Sequence, residues 1–145
     1  AWVANNHWGL QIAHLVKGKY NTTGDTTTLE KKYWYNKYRM ESVTELQELL
    51  ETTMKASLFE KIKQPVLMLY YYKDEEHQDK TVKVSAMKRM FRQLGTPDSL
   101  KREIAVPNAE DHVIGSYITS KDLATVEKES IRFGEEILRL HAFKQ

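Results

Sequence analysis

The sequence contains no cysteine, so disulfides, thiol nucleophiles, cysteine-ligated zinc and iron–sulfur clusters are all excluded. The same lack does not decide the compartment, because secreted and periplasmic proteins can also do without cysteine. Proline and glycine are scarce, at 3 and 6 of 145 residues, which leaves few places where the chain must break. No apolar run approaches the ~20 residues of a membrane-spanning helix, and no signal peptide pattern is visible. A formal net charge of +2 creates no field that would recruit a nucleic acid or an anionic membrane, so neither is expected as a partner. The chain opens on Ala1 rather than Met, as expected of a piece of a longer polypeptide, so a targeting segment could lie upstream and the localisation stays open.

What is present is ordinary for a water-soluble globular protein: 41% apolar and 29% charged residues over about one domain's length. The spacing of apolar residues predicts a short helix over Gly9–Val16, then a polar turn-forming stretch, Asn21-Thr22-Thr23-Gly24-Asp25-Thr26-Thr27. Asn21-Thr22-Thr23 matches a glycosylation sequon, but a plain surface loop accounts for so short a pattern. Thr27 followed by Glu30 has the form of a capping box. A long helix is expected behind it, from Leu29 to Met54, with Tyr33, Met40, Val43, Leu46, Leu50 and Met54 on one face. The aromatic cluster Tyr33, Trp34, Tyr35 and Tyr38 fits core packing or a lid over an apolar substrate pocket.

Residues 65–72, Pro-Val-Leu-Met-Leu-Tyr-Tyr-Tyr, form a continuous apolar and aromatic run, as a strand buried on both faces requires. Thr81–Leu94 predicts a helix with Gly95 in the position after its C-cap, and Lys101–Val106 a second strand. Pro107–Gly115 is a loop, and Ser120 is expected to cap a last helix running to Ala142. Strand, helix, strand, helix implies a parallel pair with a right-handed crossover. Two such strands leave two open sheet edges. The expected cover is either a missing N-terminal half of the same polypeptide or a homodimer partner.

In open parallel sheets, ligands sit beyond the carboxyl ends of the strands. Two loops belong there: Lys73–Asp79 after the first strand, and Pro107–Ile114 after the second. An aspartate from one can orient a histidine from the other, and the histidine then serves as a general base near neutral pH. The first loop offers Asp74, Glu75, Glu76 and Asp79 as candidate acids, and the second offers His112. The acidic loop lacks the glycine and spacing of an EF-hand, so no metal is expected, and nothing calls for a cofactor. No Gly-x-Gly-x-x-Gly or phosphate loop follows either strand, which argues against a nucleotide site. No serine lies in a Gly-x-Ser-x-Gly elbow.

The run Pro65-Val66-Leu67-Met68-Leu69-Tyr70-Tyr71-Tyr72-Lys73-Asp74-Glu75 resembles the strand and acid loop of the α/β-hydrolases, commonly Pro-Val-Leu, three apolar positions, Gly-Glu/Asp-x-Asp. Asn108-Ala109-Glu110-Asp111-His112-Val113-Ile114 resembles the family's Ala-Gly-Asp-His loop. The resemblance puts Asp74 on the acid and His112 on the catalytic histidine. It covers residues 62–140, with Tyr71 and Glu110 where glycine is common. It implies an α/β fold: residues 61–145 as the C-terminal βαβα part of a hydrolase core, two parallel strands with flanking helices, and residues 1–60 as a helical cap. In that family the serine precedes the acid and the histidine. The chain would then be a C-terminal fragment of an ester- or acyl-cleaving hydrolase, acting on a small ester or acyl substrate and holding the acid and base but not the nucleophile. The rival reading is a non-catalytic dimerising or binding module of hydrolase-like fold.

Overall fold

The computed structural model describes residues 18–22 and 27–141. The helix expected over Gly9–Val16 lies outside the described residues, and the last helix, expected to run to Ala142, ends at Glu136. The chain is a mixture of helices and small sheets, and it divides between Lys55 and Ala56 into two compact units.

The first unit contains β1 (Tyr20–Thr22), α1 (Thr28–Tyr33), β2 (Lys37–Arg39) and α2 (Met40–Thr53). The capping box forms as the sequence predicts: the Glu30 amide donates to Thr27 Oγ1 at 3.2 Å, and the Thr27 amide donates to Glu30 Oε2 at 2.6 Å. The single long helix does not form. The chain turns extended at Trp34 and pairs β2 antiparallel with β1, setting Tyr20 opposite Arg39 and Thr22 opposite Lys37. Aromatic residues pay χ1 entropy in a helix and suit a pleated strand, so the cluster of tyrosines around residue 35 favours the break. Asn21 Nδ2 donates to Tyr38 Oη, and Lys37 Nζ sits 4.6 Å over the Tyr20 ring, which gives the ribbon its side-chain pairs. Asn21, the sequon residue, therefore lies in a strand and not in a loop. Of the apolar stripe expected on the long helix, Met40 is buried, whereas Leu46, Leu50 and Met54 are exposed.

The second unit carries α3 (Ala56–Phe59), β3 (Val66–Tyr70), α4 (Val84–Gln93), β4 (Lys101–Ala105) and α5 (Leu123–Glu136). β3 and β4 run parallel, with Val66 opposite Lys101 and Tyr70 opposite Ala105. Phe59, Met68, Tyr70, Val84, Phe91 and Leu94 form one core cluster, so α3 and α4 pack on one sheet face. Among the described residues this sheet has two strands only. Tyr70 Oη donates to Glu103 Oε1 at 2.7 Å, which satisfies the one polar atom that β3 buries. Burial and this bond to a carboxylate both push the Tyr70 hydroxyl's pKa upward.

Two further helix ends differ from the sequence expectation. Gly95 does not end α4 in the left-handed conformation, since Leu94 already leaves the helix extended. Gly95 is needed instead for close approach: its amide donates to Phe59 O at 3.1 Å, and an added Cβ would fall 2.0 Å from Glu60 O. Thr96 beside it donates to Gln64 O at 2.7 Å, so this corner ties the end of α4 to the lead-in of β3. At α5 the N-cap is Asp122, whose side chain accepts from the Thr125 amide. Ser120 accepts from the Asp122 amide one turn earlier.

Candidate functional site

Beyond Tyr70 the chain leaves the sheet and folds back on itself. Tyr72 and Gln78 form an isolated antiparallel bridge, and the Lys73 amide donates to His77 O at 2.9 Å. The Asp79 amide then donates to Tyr71 O at 3.1 Å. The charged stretch 73–78 is thus a small hairpin excursion, and Asp79 is the residue that returns to the end of β3. Its Oδ1 accepts from the amides of Thr81 (2.8 Å) and Val82 (2.9 Å), just ahead of α4. Its Oδ2 meets His112 Nδ1 at 2.5 Å.

The histidine loop is built with equal economy. The Val106 amide donates to Tyr70 O at 2.8 Å, extending the parallel pairing by one residue. Val106 and Ala109 are completely buried, and the Lys121 amide ties down Ala109 O at 3.0 Å. Glu110 follows with φ = 57°, in the left-handed region where glycine is at home. Glu110 Oε2 accepts from Lys121 Nζ at 2.6 Å, a pair with both partners more than half exposed. Tyr71 needs no glycine, because its φ is not positive. Replacing Glu110 by Gly should leave stability nearly unchanged, since relief of strain offsets a weak surface ion pair. Glu110→Val should destabilise by about 2 kcal/mol, because a β-branched residue tolerates this conformation least. Thermal denaturation of the two variants checks this.

The structure brings His112 together with Asp79 and not with Asp74. Asp74 Oδ1 is occupied inside its own hairpin: it accepts from the amides of Glu76 (3.0 Å) and His77 (2.7 Å) and meets His77 Nδ1 at 2.8 Å. The two carboxylates also differ in setting. The Asp79 side chain is 3% exposed, and that of Asp74 is 50% exposed. For Asp79, burial raises the pKa, but the bonds from His112, Val82 and Thr81 outweigh it, so the carboxyl stays below its ordinary value. For Asp74, the His77 ring and amide hold the carboxyl below its ordinary value.

The depressed value of Asp79 has a definite linkage sign. Its contribution to stability is complete above the ordinary pKa and is lost as pH falls toward the folded-state value. Acid denaturation of the wild type should therefore steepen as pH falls below about 4, and Asp79→Asn should flatten that limb while lowering stability at neutral pH. Circular dichroism against pH reads both effects.

The two loops face each other across an open cavity of about 550 Å³, whose walls include Tyr71, His77, Asp79 and His112. Asp74 does not line it. No serine is among the lining residues, and among the described residues no group of three or more His, Asp or Glu side chains is placed to hold a metal ion. With Nδ1 bound to a carboxylate, the neutral His112 ring carries its proton there and presents Nε2 as the free base. The sequence did hold one signal for Asp79: it stands two and three residues ahead of Thr81 and Val82 at the start of a predicted helix, where a short acid captures free amides.

Compared with known proteins, the chain matches no family model, no curated protein and no solved structure. Among the described residues no helix is long and apolar enough to cross a membrane.

Proposed function

We propose that this chain supplies the acid and base of a serine-type α/β-hydrolase, Asp79 and His112, for cleavage of a carboxylic ester or related acyl substrate. The observation that carries the reading is the buried Asp79 carboxylate on His112 Nδ1, at the carboxyl ends of two parallel strands. Asp79 holds the ring in the productive tautomer and stabilises the imidazolium. His112 Nε2 takes the proton of a serine hydroxyl as its oxygen attacks the acyl carbon. It returns that proton to the leaving alcohol as the ester bond breaks. A water then releases the acyl group through the same base. The α/β-hydrolase assignment is part of this proposal.

The serine is proposed to come from further strands that continue this sheet. Support for that comes from β3, whose Val-Leu-Met-Leu-Tyr sequence suits a central strand, although it has one neighbour among the described residues. β4, with Lys101, Arg102 and Glu103, has the charged composition of a protected edge.

The test is hydrolysis of p-nitrophenyl esters. The 145-residue chain alone should be inert. Fused to a segment that supplies a Gly-x-Ser-x-Gly elbow, it should turn over. His112→Ala should then reduce kcat/KM by roughly 10³–10⁴-fold. Unchanged turnover in that variant sinks the reading. The open β3 edge also suits a dimerising module without turnover, and analytical ultracentrifugation showing a stable dimer with no esterase activity in the fused form would favour it.

A further inference from the structure

α2 carries its apolar stripe on its outer side. In a water-soluble unit that stripe ordinarily faces the core. Here Met40, Thr44 and Gln47, spaced four and three residues apart, share the covered side, and two of the three are polar. Val43, Leu46 and Leu50, spaced three and four apart, form the next side round, with Leu49 and Met54 at its margins. All five are exposed, and Leu46, Leu49 and Met54 are more than half exposed. Surface leucines scattered singly need no explanation, but five adjoining apolar side chains along about three turns of helix do.

The charge on the helix restricts what can cover this stripe. Residues 40–53 hold four glutamates and no lysine or arginine. Glu41 pairs with Arg39 at the helix start, and Lys55 follows the helix end. Glu45, Glu48 and Glu51 form no ion pair with any described residue, and the bond from Gln47 Nε2 to Glu51 at 2.9 Å leaves that charge in place. Glu45 adjoins Leu49 and Glu51 adjoins Met54, so a carboxylate borders each side of the stripe. A second copy of α2 laid on the first would bring like charges together, and an anionic membrane or a nucleic acid would be repelled. A helix with its own apolar stripe and flanking lysines or arginines satisfies both the seam and its border.

We propose that the outer face of α2 is a docking surface for a cationic amphipathic helix of another protein chain. Val43, Leu46 and Leu50 form the apolar seam, Leu49 and Met54 widen it, and Glu45 and Glu51 pair with basic side chains beside the partner's seam. The helix is about 21 Å long, which suits a partner with apolar anchors at i, i+3 and i+7. Paired helices of this kind lie about 8–10 Å apart and cross at about 20°. The seam supplies affinity, and the carboxylates select the sign of the partner's charge. This surface belongs to the first unit and does not rest on the hydrolase reading.

The probe is a peptide of about 20 residues, long enough to be helical by itself, with leucine at every third and fourth position and lysine on either side. Its twin has glutamate for each lysine, and a third peptide keeps the composition of the first but scatters the leucines. Binding to the full chain is read by fluorescence anisotropy, and its location by backbone ¹⁵N shifts. The striped lysine peptide should bind saturably and shift the signals of residues 43–54. The glutamate twin and the scattered peptide should each bind at least about tenfold more weakly. Leu46→Ser combined with Leu50→Ser should weaken binding about tenfold, and Glu45→Gln combined with Glu51→Gln about threefold. All four side chains are exposed, so circular dichroism of both variants should match the wild type. Absence of binding overturns the proposal, as does equal binding of either control peptide or unchanged binding by the leucine variant. Two results overturn it by showing a different occupant: a dimer in sedimentation that the leucine variant separates, or contacts in the free chain between the α2 stripe and the residues before Gly18.

Discussion

Asp79→Asn should reduce kcat/KM for ester hydrolysis roughly 10³–10⁴-fold in the enzyme completed by its nucleophile, whereas Asp74→Asn should cost less than about tenfold on a neutral ester. The asymmetry follows from where each carboxylate points. Asp79 is buried, accepts two backbone amides through Oδ1 and spends Oδ2 on His112. An asparagine there keeps the shape, but its side chain can turn its amide nitrogen to the ring. The imidazole then keeps its proton on Nε2, where the base is needed free, and the forming imidazolium loses its counter-charge. Asp74 bonds only within its own hairpin, so its loss loosens that hairpin and leaves the base alone. A long-range ¹H–¹⁵N spectrum of the histidines gives the same answer without substrate. In the wild type the His112 Nδ1 should be the protonated nitrogen, and in Asp79→Asn the proton should move to Nε2. If Asp74→Asn changes that tautomer and Asp79→Asn does not, the assignment of the acid is wrong.

Among the described glycines, Gly95→Ala should be the most damaging substitution. The new Cβ would sit 2.0 Å from Glu60 O and 2.8 Å from Glu60 C, and backbone atoms cannot swing aside as a side chain can. Relief requires α3 and the end of α4 to separate, which breaks the bond from the Gly95 amide to Phe59 O and opens the core around Phe59 and Leu94. A loss of about 3 kcal/mol is expected, at the upper end for overpacking. In a unit of this size that lowers Tm by more than about 10 °C. Gly134→Ala makes the contrast. Gly134 lies inside α5, and its added Cβ would meet nothing closer than Leu140 Cδ1 at 3.8 Å. That substitution should raise stability by about 0.5–1 kcal/mol through helix propensity alone. Calorimetry on the pair separates close approach from helix propensity as the reason for each glycine.

These residues also show where sequence reasoning holds. β3, α4, β4 and α5 were legible because each has its own period or apolar run, and burial then enforces it. The Thr27–Glu30 box was legible because capping is local. The break at Trp34 was not, because the ribbon that replaces the helix depends on Tyr20–Thr22, more than ten residues away. His112 could be placed from the topology of the two strands. Choosing Asp74 over Asp79 rested on the resemblance to the hydrolase acid loop, and that pattern assumes a loop of ordinary length. The bridge between Tyr72 and Gln78 cancels the residues between them. Gly95 shows a similar failure: a helix end was legible, but its contact with Glu60 is tertiary.

That bridge has a consequence for how such a site can change over time. The excursion from Lys73 to Gln78 is closed at its base, by Tyr72 with Gln78 and by the Asp79 amide on Tyr71 O. Residues can be gained or lost at its tip without moving the acid from the ring it serves. The rim of the cavity can therefore be rewritten, in length and in charge, while the Asp79–His112 pair stays fixed. Insertion tolerance and the geometry of the Asp79–His112 pair share one loop, and one pair of strand-end contacts keeps them independent.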